Sequence, residues 1–253
     1  MSAVTYGRFE LLRVLRNRQG FIFSLIFPTI MYFILAAPNR HDHNFGGDAK
    51  HPTGLFAPQY YMVGLLAFGA MVAVLSTGPR ISAERVIGWN RQLRLTPLST
   101  RSYLRVKVIT GYLLAVISMA LLYVLGISLG VRLSFGSWVE MTALILVALI
   151  PFAVLGIAAG HLLNDDAAGP ALGGGVSLFA LLGGSYFPIT GSGVFVHICQ
   201  LLPSFWLVQA GHIGLGAHKP WGVEAWAVLA VWSLVAALVA AWAYKRDTRR
   251  AGA

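Results

Sequence analysis

The sequence predicts an all-α, polytopic membrane protein: six transmembrane helices, an amphipathic N-terminal helix, a short cytosolic helix between the second and third spans, and an outer re-entrant hairpin before the last span. Three observations predict it. Of 253 residues, 57% are hydrophobic and 11% charged, with a mean hydropathy of +0.70, far more apolar than a soluble domain. Apolar runs recur at lengths near the roughly 20 residues that cross a bilayer core. Placing both termini in the cytoplasm puts 15 of the 19 Lys and Arg residues inside and leaves only Arg40, Lys50, Arg132 and Lys219 outside. That is the bias of the positive-inside rule, and it calls for an even number of spans.

Residues 3–18 form a helix with Val4, Leu11, Leu12 and Leu15 toward one side and Arg8 snorkelling among them, a pattern suited to the membrane surface. The apolar run after the arginines continues through Pro38 without a small-residue cleavage site, so it is an anchor and not a signal peptide. The first span is 21–37, kinked at Pro28, and the second is 58–79, leaving at Pro79. Between them, His41, Asp42, His43 and His51 lie in a polar loop whose spacing has no metal-site geometry. The third and fourth spans are 107–130 and 138–163, with Glu140 at the outer end of the fourth. Pro151 and the small residues from Gly156 to Gly160 suit a bent helix that another can approach closely.

The fifth span, 170–187, is expected to begin at Pro170, with Asp165 and Asp166 before it stabilising its N-terminus. Gly173, Gly174, Gly175, Gly183 and Gly184 imply tight helix packing there. Residues 188–222 are too long for a turn and too broken by proline and glycine for a span. Val194, Ile198, Leu201, Leu202 and Phe205 can share a face of an outer hairpin that also holds His197 and His212. The last span, 223–244, ends in the basic KRDTRR.

The loop at 80–106 carries the most pattern. Seven cations from Arg80 to Lys107 face a single acid, Glu84. Ser82 is a suitable helix N-cap, Glu84 then falls in the first turn, and Pro97 ends the helix by about Leu95. Gly88 inside that helix costs about 1 kcal/mol relative to alanine, which implies another backbone passing close by.

Glu84, Arg85, Gly88, Leu93, Pro97, Leu98 and Ser99, in the order E-R-x-x-G-x-x-x-x-L-x-x-x-P-L-S, resemble the first cytoplasmic loop of type-2 ABC exporter permeases. Tyr186, Phe187 and Pro188, followed by Leu201, Leu202 and Pro203, resemble the family's outer hairpin. The resemblance covers the whole chain, 1–253, as one transmembrane domain, and is nearest to bacterial drug-exporter and antibiotic self-resistance permeases. It makes 3–18 the elbow helix and gives Glu84, Arg85, Gly88, Leu93 and Pro97 the role of coupling to a separate ATP-binding cassette subunit. Asp165 and Asp166 become a second inner-loop contact with that subunit. It further implies that ATP and Mg are used by the partner, that two copies pair as a homodimer in the bacterial inner membrane, and that export proceeds by alternating access.

No Walker lysine motif, HExxH or Ser-His-Asp pattern is present, so the chain is expected to be a transport subunit, not an enzyme, with no catalytic residue, metal or cofactor of its own. The positive charge lies beside apolar spans, which fits lipid and not nucleic acid. Phe179, Tyr186, Phe187, Phe205 and Trp206, gathered toward the outer half, suit a path for a hydrophobic small molecule. A lipid-linked glycan or lipo-oligosaccharide is the alternative substrate class, and a non-transporting antibiotic sensor or immunity subunit the alternative function. The spans lack the central charges expected of a secondary transporter.

Overall fold

A computed structural model describes residues 3–16, 22–45, 54, 56–89, 92, 99–189, 193–213 and 221–250. The described residues fold as helices without strands: α1 (Ala3–Arg16), α2 (Ile22–Ala36, opening with a π-helical turn at Ile22–Ile26), α3 (Ala57–Leu75), α4 (Thr77–Val86), α5 (Thr100–Ser128), α6 (Phe135–Ala148), α7 (Ile150–Leu162), α8 (Asp165–Gly183), α9 (Val194–Gln200), α10 (Pro203–Ile213) and α11 (Val223–Arg250).

α3 is the axis of the fold. All its residues except Gln59 and Val72 are buried, and α2, α5, α7, α8 and α10 pack around it. The close approach depends on side-chain size: a Cβ at Gly64 would overlap the carbonyl oxygen of Ser185. α11 lies outside this bundle, mainly against α7.

Four segments among the described residues are long and apolar enough to cross a bilayer: Ala57–Val86, Thr100–Ser128, Phe135–Leu162 and Val223–Asp247. Counting α9 and α10, which meet at 85°, as one broken span makes five. The remaining two expected spans correspond to α2 and α8. The 15 residues of α2 reach about 22 Å at 1.5 Å per residue, short of a bilayer core of about 30 Å.

Several local expectations are corrected. The irregularity in α2 is the π turn before Pro28, which itself sits in the first turn of Phe27–Ala36. α8 starts at Asp165 after Asn164 and carries Pro170 within it, so the two acids lie inside its first turn. Gly173, Gly174 and Gly175 face open space within this chain, whereas Gly183 packs against the backbone of Ser204. The apolar face of the outer hairpin does not continue to Phe205. Val194, Ile198 and Leu201 are exposed, and the bend after α9 turns Phe205 into the core.

Candidate functional site

α4 is the element from which the site is built. Pro79 has no N–H to bond the carbonyl of Leu75, and the helix path breaks at Ser76. Arg80 turns back over the break: its Nε donates to the Ser76 carbonyl at 3.0 Å and its Nη2 to the Ser76 hydroxyl at 3.2 Å. α4 thus continues the buried α3 and does not begin at Ser82. Ser82 is buried in mid-helix and donates its hydroxyl to the Leu163 carbonyl at 3.1 Å, and Glu84 lies near the helix's end, not in its first turn.

The helix stops because of Gly88, whose φ of +69° is the left-handed conformation that glycine adopts without strain. Nothing in this chain lies within 4 Å of where its Cβ would be, so the turn by itself accounts for the glycine here. Beyond the buried Glu84, Val86 and Ile87 are exposed at 71% and 65%.

Glu84 is fully buried and takes three donors. Its Oε1 accepts from Lys107 Nζ and Arg13 Nη1, each at 2.5 Å, and its Oε2 accepts from the Tyr103 hydroxyl at 2.5 Å. Lys107 donates as well to Glu10 Oε1 at 2.6 Å and lies 5.4 Å from the Tyr103 ring. Arg80, also buried, brings Nη1 to 3.6 Å from Glu10. Two carboxylates and two cations are therefore enclosed together, with the half-exposed Arg13 at the edge. Burying these charges costs far more than an exposed pair returns, and it is tolerated because each faces an opposite charge at short range. Burial, together with the charges of Glu84 and Glu10, pushes the Tyr6 hydroxyl well above its ordinary pKa.

This network explains why α5 starts at Thr100, earlier than expected. Ser99 caps it by accepting from Ser102 N at 3.2 Å, and the ammonium of Lys107 is neutralised two turns in. It also gives α1 a buried side that the apolar pattern did not show: Tyr6, Glu10 and Val14 form a buried stripe, while Phe9 and Leu12 face outward. Glu10 and Lys107 were missed as site residues. Their sequence signals are the i, i+4 pairings Tyr6 with Glu10 and Tyr103 with Lys107, each setting a charge one turn from an aromatic residue on the same helix face.

Arg85, the next residue, holds a different set of elements, since successive helical residues point about 100° apart. Its guanidinium meets Asp247 of α11 at 2.9 Å and donates from Nη1 to the carbonyls of Gly160 and Leu163 at 3.0 and 3.3 Å. Those carbonyls belong to the end of α7, where the helix leaves acceptors unsatisfied. Asp247 Oδ2 also lies 3.2 Å from His161 Nδ1, and the His161 ring stands edge-on to Tyr244. The sequence offered Asp247 only as the lone acid within a basic terminus.

The other expected site residues are dispersed. Leu93 and Pro97 lie outside the described residues. Asp165 and Asp166 are exposed at the start of α8. Of the aromatic group, Phe187 is exposed, Phe179 and Tyr186 are partly buried, and Phe205 and Trp206 are core residues. Phe179 bridges Phe152 and Trp232, with ring centroids 5.5 and 6.2 Å away, while Trp206 Nε1 donates to the Gln200 carbonyl at 2.8 Å. His212 is buried and stacked on Tyr60.

Among the described residues the architecture is an apolar helical bundle with a short ion-paired helix clamped at the end of its central span, the class of a polytopic membrane protein. The sequence pattern of the ABC-2 family transporter proteins matches residues 48–242, and the chain belongs to that family. It is similar to a protein of Bacillus subtilis (strain 168) named "Putative transport permease YvfS", with 28% identity over 213 residues, which cover 83% of this chain and 81% of that one.

Proposed function

We propose that this chain is the membrane subunit of an ATP-driven exporter that moves a hydrophobic or amphipathic molecule, such as a drug or antibiotic, by alternating access. The observation that carries the reading is the position of α4. It continues the buried α3, is held on one side through Glu84 and on another through Arg85, and ends in exposed Val86 and Ile87. A displacement delivered at that exposed end has a packed route into α3, α5, α7 and α11.

In this reading a separate ATP-binding cassette subunit, which uses ATP and Mg, meets Val86, Ile87 and the loop through Leu93 and Pro97. The exposed Asp165 and Asp166 form a second contact with it. Two copies of the chain pair as a homodimer in the bacterial inner membrane, with both termini cytoplasmic. Phe187, Tyr186 and Phe179 are the accessible members of the substrate path, and Phe205 with Trp206 is the buried wall behind them. Apolar burial, at roughly 25 cal/mol per Å², suits a lipophilic substrate without requiring directional partners.

The test is co-expression with the ATP-binding subunit in a pump-deficient host, followed by ATP-dependent efflux of lipophilic antibiotics. Wild type is expected to lower accumulation, and Ile87→Asp to abolish the effect while leaving membrane insertion intact. Unchanged accumulation with wild type, together with ATPase stimulation by a lipid-linked glycan, would replace the drug reading with the glycan one. A wild-type chain that moves neither class would leave the sensor reading.

A further inference from the structure

A helix that merely rests on a membrane turns its apolar side inward or into lipid and needs no buried acid. α1 exposes Phe9 and Leu12 on one side but on the other buries Glu10 against α5, which resting on a membrane does not require. Lys107, with no exposed surface, lies between the carboxylates of Glu10 and Glu84, which come from two helices far apart in sequence. If either helix withdrew from α5 alone, the fully buried Lys107 ammonium would lose one of its two counter-charges. Separate movement of α1 and α4 is therefore the costly motion, and joint movement with the start of α5 the cheap one.

From this we infer that Glu10 is a positioning residue for coupling: through Lys107 it fastens α1 to α4, so that the N-terminal helix travels with the coupling helix as one rigid body. The functional consequence rests on the exporter reading above, whereas the mechanical one does not. Arg13 strengthens the clamp from the edge by bonding Glu84 directly, and Tyr103 closes it by donating to the other carboxylate oxygen.

Two measurements test it. The full chain in lipid nanodiscs, with Cys199→Ser removing its one cysteine, is spin-labelled at Phe9→Cys and Val86→Cys, both exposed positions. With the labelled chain diluted in excess unlabelled chain so that pairs within one copy dominate, a single narrow distance is expected, broadening at least about twofold when Glu10→Gln removes a counter-charge while keeping the shape. In the unlabelled permease reconstituted with its ATP-binding subunit, Glu10→Gln should retain ATP hydrolysis while substrate moved per ATP falls about tenfold, with partial recovery in Glu10→Asp. Tyr103→Phe, which deletes only a hydroxyl, should shift both readouts the same way by less and serves if Glu10→Gln does not fold. A wild-type distribution that is already broad, a variant distribution as narrow as wild type, or unaltered transport per ATP would overturn the inference. Absence of ATP-driven transport in wild type would instead remove the exporter reading and leave the distance measurement to decide the clamp.

Discussion

The helices Ala57–Leu75 and Val223–Arg250 are both apolar enough to cross a bilayer, yet the structure uses them in opposite ways. The most apolar window of the segment containing the first is 89% buried within the chain, that of the second 17%. Their sequences contain the reason. The central helix holds Gly64 and Gly69, at which neighbouring groups approach closely from different sides, whereas the final helix has no glycine. The final helix alternates Ala with Val, Leu and Trp, and turns Val231, Leu234, Leu238 and Trp242 outward. Lipid is as apolar as a protein core, so hydropathy selects for the membrane and leaves residue size and shape to select the neighbour.

Three substitutions break or sharpen that contrast. The largest effect belongs to Gly64→Ala, since the added methyl overlaps a backbone carbonyl that cannot rotate away. It is expected to abolish the monodisperse peak of the detergent-purified chain in size-exclusion chromatography, and a normal peak would show that the contact with Ser185 can open. Next is Leu66→Ala on the same helix, where Leu66 is fully buried. It should lower stability by about 3 kcal/mol in denaturant unfolding, through lost contacts and the cavity left behind. Smallest is the matching change on the outer helix, Leu234→Ala, at a side chain 62% exposed. There the shift in the same assay should stay below about 0.5 kcal/mol. Equal losses for the two leucines would erase the distinction between axis and perimeter.

The same contrast appears among the charges. Glu84 read as a first-turn acid in a basic loop, and in the fold it lies near the helix's end and is fully buried. Arg85, by charge one of seven cations in the loop, ties α4 to both α7 and α11. Neither role was visible because each depends on residues remote in the chain. Lys107 and Glu10 are 97 positions apart, and Arg85 and Asp247 are 162 apart. Gly88 was legible as a special position, but its left-handed turn was not, because glycine serves close approach and left-handed turns equally well.

The sequence by itself determined that this is an all-helical membrane protein, that the stretch after the second apolar run is its most patterned loop, and that the chain resembles ABC-2 permeases. Those properties follow from local composition, charge spacing and short motifs, which survive without knowledge of neighbours. Only the tertiary structure decided which apolar helix is the axis, which cations are buried, and which side of α1 faces inward. Burial and ion pairing are relations between segments, and the free energy of a charge is set by what the fold places within a few ångströms of it.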